Sequence, residues 1–354
     1  MFTKIKNVRV VGIAAAVSNV WESIRDVSNE SESLILKFKK MTGVEGRYAA
    51  NLKQTTSDFC FAAANRLLEE KHIDRTQIGI LVFVTQTSDY DIPATACVLQ
   101  NRLGLGKDCL AFDVNLGCSG FTYGVTIAGS LLNTTNTKYA LLLAGDTSAK
   151  EKSNKRRVKT THAASMLFGD SGTATLLEKV EDGSLLLVSS KTDGAGYKTI
   201  ISPYQGWRHP DVPDREPRGT RMDDIAVFEF ATEEAAGQIN EYMKETDTTP
   251  ANYDCLVLHQ ANMMIMKRIA KKTGFPNEKN LVSINHFGNT SSSSIPISLV
   301  NEYGNNENNK TIKALCCGFG VGLSWSTVAL DINICDILPL VHTEDYFDDG
   351  YPDE

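Results

Sequence analysis

Apolar runs of strand length recur along the chain, at Val8–Ile13, Ile78–Thr85, Leu110–Asp113, Tyr139–Ala144 and Met166–Leu177. Amphipathic segments separate several of them. In Ser57–Lys71, Cys60, Ala63, Ala64, Leu67 and Leu68 fall at helical spacing, while Asp58, Arg66, Glu69 and Glu70 are polar. That period predicts a helix with one buried face. Strands alternating with helices predict a layered α/β fold.

The second half repeats the order. A helix is expected over Val227–Lys244, a strand at Cys255–Leu258 and a helix over Asn262–Lys272, followed by strand, helix and two strands ending near Leu330. "QIGILVFVTQT" after a helix matches "YDCLVLHQAN" after a helix, and "FDVNLGCSG" before a helix matches "INHFGNTSSS" before a helix. The order of elements, more than residue identity, predicts an internal duplication. The expected halves are residues 1–178 and 179–331, with an acidic tail over 332–354. Asp193–Asp224, rich in Gly, Pro, Arg and Asp and containing Trp207, reads as a long loop. In the tail, Ile332, Ile334, Ile337 and Leu338 predict docking, whereas the acidic, aromatic end through Asp345, Tyr346 and Tyr351 predicts mobility.

Composition narrows the class. With 354 residues and 42% hydrophobic positions, the chain supports a sizeable core. Stretches such as Ile80–Val84 and Ala140–Ala144 are far shorter than the roughly 20 residues that span a bilayer. Residues Met1–Val17 lack a sustained apolar core with a cleavage site, so the expected compartment is the cytoplasm. Eight cysteines without CxxC spacing read as reduced thiols, not as a disulfide framework or zinc site. The net charge of −7 resides in the tail, because residues 1–330 carry 36 basic and 35 acidic side chains. No nucleic-acid groove is expected from that balance.

Candidate chemistry gathers at the strand ends. "DVNLGCSGF" sets Cys118 after a strand and before a helical stretch from Ser119 to Leu132. The helix dipole there favours a thiolate. A free cysteine is more often a small buried hydrophobe, but Gly117, Ser119 and Gly120 leave room for an acyl carbonyl against the backbone. His259 opens "HQAN" at the end of the strand Leu256–Leu258, the edge where ligands bind in open α/β sheets. His72 and His342 lack such a setting. Asn289, in "NHFGNTSSSSIP", falls near the counterpart of Cys118 in the duplicated frame, although a Ser-rich N-cap is the ordinary reading of such a run. "CCGFGVGLSW", Cys316–Trp325, is a Gly-rich turn between strands that either closes a hairpin or presents an N–H to an oxyanion. Because it joins strand to strand, nucleotide binding is discounted.

Cys118 in "DVNLGCSGF", His259 in "LHQAN", Asn289 in "HFGNTSSSSIP", "MLFGDSGTA" at Met166–Ala174 and "GFGVGLSW" together resemble the ketoacyl-acyl-carrier-protein synthase III family of the thiolase superfamily, from about Val8 to Leu330. The resemblance implies a thiolase fold, a layered αβαβα arrangement of two pseudo-symmetric halves. It also implies a homodimer in which the "IPATAC" loop touches the neighbour's acyl pocket, with Ile92 where many members carry a gating Phe. By this resemblance Cys118 takes an acyl group from a thioester, and the backbone N–H groups of Cys118 and Gly322 hold the oxyanion. His259 and Asn289 act on a malonyl thioester, whose decarboxylation leaves an enolate for two neutral N–H donors. Neither cofactor nor metal is then required.

The rim departs from the family. Lys37 stands where many members carry a Trp that stacks on the coenzyme A adenine, and Met41 and His162 replace usual arginines. Glu229 and Met264 occupy positions that are often basic. Met or His does not substitute for an Arg or Trp clamp on a nucleotide. An acyl carrier protein is therefore the expected bearer of the substrate, or else coenzyme A binds in another pose. Lys267, Arg268, Lys271 and Lys272 offer a basic helix face for an acidic carrier. Competing readings are acyl transfer to an alcohol, amine or sugar, a papain-like cysteine hydrolase, and a silent heterodimer partner. The residue Asn289 favours condensation, the context of Cys118 is unlike that of papain-type enzymes, and retention of all three residues speaks against a silent partner.

Overall fold

The computed structural model describes residues 1–28, 30–149, 166–209 and 219–351. Among them, two large sheets dominate. The first runs in the order 341–343, 8–18, 171–179, 139–146, 78–84, 110–114, and the second in the order 2–6, 185–192, 324–333, 311–320, 255–258. In the first, strand 8–18 pairs antiparallel with 171–179, which pairs antiparallel with 139–146; strands 139–146, 78–84 and 110–114 are then parallel. The second repeats that sequence of senses. Strand 185–192 is antiparallel to 324–333, 324–333 is antiparallel to 311–320, and 311–320 is parallel to 255–258. A parallel bridge between Leu256 and Asn280 stands where the first sheet has its last strand.

The helices Gly120–Thr134 and Ser294–Tyr303 lie between the sheets, each packing on strands of both. Their composition follows from that position. A helix with sheets on two sides must be apolar nearly all round, and Phe121, Val125, Ala128 and Leu132 are wholly buried, as are Ile297 and Leu299. Full burial of a side chain such as Leu132 contributes about 1.5–3 kcal/mol. The helix Thr56–Glu70 covers the outer face of the first sheet, its Cys60, Ala63, Ala64, Leu67 and Leu68 all buried against it. On the outer face of the second lie Ala236–Glu245 and Met263–Thr273. The layers thus read α, β, α, β, α.

Several elements differ from the sequence expectation. Phe2–Lys6 forms a strand of the second sheet, and Asn7, at φ 57°, turns the chain so that Val8 starts a strand of the first. The strand expected from Met166 begins only at Ser171, because Asp170 is drawn aside to accept the N–H groups of Ala50 and Ala149. The helix expected over Val227–Lys244 is Asp224–Phe230 and Ala236–Glu245 joined by a π-helical turn. In the long loop, Trp207 is 92% exposed.

The tail is engaged well beyond its apolar start. Val341–Thr343 adds a parallel edge strand beside Ala16–Ser18. Further on, Gln54 Nε2 donates to the carbonyls of Thr343 and Asp345, the Phe347 N–H donates to Asp58, and Tyr90 Oη donates to Asp349 at 2.5 Å. The Arg102 guanidinium, paired with buried Asp58, lies between the rings of Phe61 and Phe347. An aromatic side chain on a fixed cation explains why an acidic segment docks where composition alone suggested mobility. No described helix is long and apolar enough to cross a membrane.

Candidate active site

Cys118 sits between strand Leu110–Val114 and the central helix that starts at Gly120, with Ser119 at the cap. The hairpin between strands Thr311–Gly320 and Ser324–Asn333 closes over it. Gly320 must lack a side chain: a Cβ there would lie 2.5 Å from Cys118 Cβ and 2.9 Å from its Sγ. The Ser119 and Ser324 hydroxyls, 2.7 Å apart, fasten the helix start to the hairpin.

The backbone N–H groups that favour an anionic sulfur are those of Cys118 and Val321. Gly322, the second expected oxyanion donor, is the next residue of the same turn. Gly322 adopts φ 140°, where a Cβ would meet Ser324, whereas Gly320 faces the thiol. Cys118 keeps a partly exposed face. Its sulfur is nonetheless enclosed, and burial, with the nearby Asp146 charge, pushes the thiol up to about 12. The thiolate expected from the helix dipole is not the resting form; desolvation of the anion outweighs the two N–H groups and the Ser291 hydroxyl that favour it.

His259 follows strand Cys255–Leu258, its N–H donating to Cys317 across the parallel pair at 2.9 Å. It is 2% exposed. The Phe319 ring meets it edge-on at 5.5 Å, and Nδ1 lies 2.7 Å from Ser294 Oγ. Burial holds its pKa down at about 3, so the imidazole is neutral at ordinary pH. The single Ser294 hydrogen has two acceptors in reach, His259 Nδ1 and the Ser291 carbonyl at 2.6 Å. The Ser294 hydroxyl donates to the Ser291 carbonyl; the Nε2–H tautomer is the one in which it donates to Nδ1 instead.

Asn289 is 6% exposed. Its backbone interlocks with the "FGD" turn: the Asn289 N–H donates to Leu167 and the Gly169 N–H donates to Asn289. Gly169 is required there, because a Cβ would fall 1.9 Å from the Phe287 carbonyl oxygen. The Ser291 N–H donates to Asn289 Oδ1 at 2.9 Å, which leaves the amide Nδ2 as the outward group. Ser291 thus adjoins all three residues: its N–H fixes Asn289 Oδ1, its carbonyl shares the Ser294 hydroxyl with His259 Nδ1, and its side chain favours the anionic form of the Cys118 sulfur.

Sequence reasoning missed Ser291, Ser294, Val321 and Asp146. The serines were legible only as a capping run, and Asp146 only as an acidic residue closing the apolar run "ALLLAGD". Elsewhere, Ile92 is 86% exposed on the loop after strand Ile78–Val84. Lys267, Arg268 and Lys271 are exposed on helix Met263–Thr273, and Lys272 pairs with Glu233. Lys267 and Lys271 border a cavity of about 340 Å³ with Phe275, Pro276 and Asn277. Lys37, Met41, Glu229 and Met264 are exposed, the helix Glu32–Thr42 packing on Met263–Thr273. His162 lies outside the described residues.

Comparison with known proteins gives the family. The family model for 3-oxoacyl-[acyl-carrier-protein (ACP)] synthase III matches residues 112–194, and that for the C-terminal part of the same family matches 243–332. The beta-ketoacyl-[acyl-carrier-protein] synthase III of Clostridium perfringens is 30% identical over 294 residues, 82% of this chain and 89% of the relative. Its counterpart from Streptococcus equi subsp. equi is 30% identical over 335 residues, 94% of this chain and 100% of the relative. The solved 3-oxoacyl-(acyl-carrier protein) synthase of Burkholderia xenovorans LB400 matches with a TM-score of 0.90 and 31% identity, over 97% of this chain and 99% of that one. Neither a hydrolase nor heteroatom acyl transfer is favoured by these relatives. Cys118 falls in the first matched segment and His259 and Asn289 in the second, and the chain belongs to the β-ketoacyl-acyl-carrier-protein synthase III family, condensing acyltransferases of the thiolase fold.

Proposed function

We propose that the chain condenses an acyl group carried on Cys118 with a malonyl thioester, and that Cys118, His259 and Asn289 are its catalytic residues. In the first half-reaction the Cys118 sulfur attacks the donor thioester carbonyl and loses its proton as the carbon–sulfur bond forms. The carbonyl oxygen gains charge between the N–H groups of Cys118 and Val321. Collapse expels the donor thiol, which leaves with a proton. In the second, the malonyl thioester loses carbon dioxide, and the enolate oxygen accepts hydrogen bonds from His259 Nε2–H and Asn289 Nδ2–H. The enolate carbon attacks the acyl carbonyl, the carbon–sulfur bond to Cys118 breaks as the β-ketoacyl product forms, and the departing thiolate takes a proton from water to restore the thiol. An imidazole whose pKa is held down at about 3 suits this role, because it is too weak a base to hold a proton taken from the substrate and serves instead as a neutral hydrogen-bond donor.

The observation that carries the reading is that one turn serves the whole site: the Ser291 N–H holds Asn289 Oδ1, the Ser291 carbonyl shares the Ser294 hydroxyl with His259 Nδ1, and Ser291 Oγ lies against Gly117, the neighbour of Cys118. The same reading makes an acyl carrier protein the bearer of the substrates, met by Lys267, Arg268, Lys271 and Lys272, in a rim where Met41 and Met264 offer no charge to a nucleotide. It further has the enzyme work without cofactor, in the cytoplasm, as a homodimer whose Ile92 enters the partner's acyl pocket. Intact mass measurement with a panel of acyl thioesters, followed by a malonyl-carrier chase, tests it. Cys118→Ala should abolish acylation, and Asn289→Ala should keep acylation while stopping condensation. Normal condensation by the Asn289 variant would refute the enolate assignment.

A further inference from the structure

The turn that reaches all three site residues is held by a group outside them. Asp146 ends strand Tyr139–Asp146 and is 1% exposed. Its Oδ1 accepts from the Gln86 N–H at 2.7 Å, Thr85 Oγ1 at 3.1 Å and Thr87 Oγ1 at 3.3 Å. Its Oδ2 accepts from Ser292 Oγ at 2.9 Å and the Ser292 N–H at 3.3 Å. The adjoining Ser291 donates its N–H to Asn289 Oδ1 and faces, through its carbonyl, the Ser294 hydroxyl that meets His259 Nδ1.

Two features separate this from ordinary core packing. A carboxylate out of water costs several kcal/mol unless donors surround it, and these donors come from both halves of the chain: the loop after strand Ile78–Val84 and the turn after Asn289. Moreover, Ser291 is held at φ 52°, a left-handed conformation that a non-glycine residue keeps only when its surroundings over-determine it.

We propose that Asp146 is a positioning residue for the condensation, fixing the Ser291–Ser292 turn so that Cys118, His259 and Asn289 hold their mutual geometry. It touches no reacting atom. The inference rests on the assignment of those three residues, and its loss should appear in turnover rather than in binding.

Asp146→Asn is the direct test. The variant should condense with kcat lowered ten- to hundredfold and the KM for the malonyl substrate within threefold. Hydrogen exchange should quicken at amides 85–87 and 290–293 while strand Ile78–Val84 keeps its protection. A kcat within threefold of the parent would overturn the proposal, as would exchange that quickens throughout both sheets. Should the Asn variant fail to fold, Ser292→Ala removes one donor and leaves the carboxylate in place. It should lower kcat five- to tenfold, and unchanged turnover would overturn the proposal. If the parent itself is not acylated on Cys118, the functional assignment fails, and the exchange pattern still decides whether Asp146 holds the turn.

Discussion

At Cys118 two opposing effects act on one sulfur: the amides at a helix start stabilise an anion, and removal from water destabilises it. The second prevails, with the thiol pushed up to about 12. The rate of Cys118 alkylation by iodoacetamide should therefore rise about tenfold per pH unit from 7 to 10. A plateau near pH 8 would show a thiolate already formed. His259 makes a second pH prediction. Its folded pKa of about 3 lies below the ordinary histidine value of 6.5, so the unfolded chain binds more protons between these limits. The sign is fixed by that order: stability is intact above pH 6.5 and declines as the pH falls toward 3. The loss of melting temperature between pH 6.5 and 4 should be smaller in His259→Gln than in the parent, and an equal loss would contradict the buried neutral imidazole.

The two central helices show what was legible at the scale of elements. "DVNLGCSGF" and "HFGNTSSSSIP" marked both helix starts because a strand, a tight turn and an apolar stretch follow one another in each. Helix Thr56–Glu70 was equally readable from its buried stripe. The glycine-rich turn was legible as a link between two strands, but not that its Val321 amide acts on the Cys118 sulfur. Asp146 and Ser291 were hidden for a related reason: their partners are distant in sequence and meet only where the halves join. The tail escaped because its docking depends on one ring, Phe347, seated on Arg102 beside buried Asp58. Phe347→Ala should lower unfolding stability by about 1 kcal/mol in urea titration, and no change would mean that the edge strand Val341–Thr343 alone secures the tail.

For the molecule as a whole, two sheets with matching strand order bring the start of one central helix and the turn before the other to a common seam. Cys118 comes from one half, His259 and Asn289 from the other, and Asp146 binds the seam from the first half. Family membership accounts for the chemistry, while Lys37, Met41, Glu229 and Met264 are exposed at positions that the family resemblance places around the coenzyme. If the rim is built for a carrier, acyl-carrier substrates should acylate the enzyme at least tenfold faster than the matching acyl-coenzyme A, and comparable rates would remove that argument.

The most direct measurement is the intact mass of the protein after incubation with acyl thioesters, mapped to its modified residue and then chased with malonyl carrier. The account predicts a single acyl adduct on Cys118 that disappears with release of carbon dioxide and a β-ketoacyl product. An adduct on another cysteine, or one that the chase discharges by hydrolysis without carbon dioxide, would contradict it.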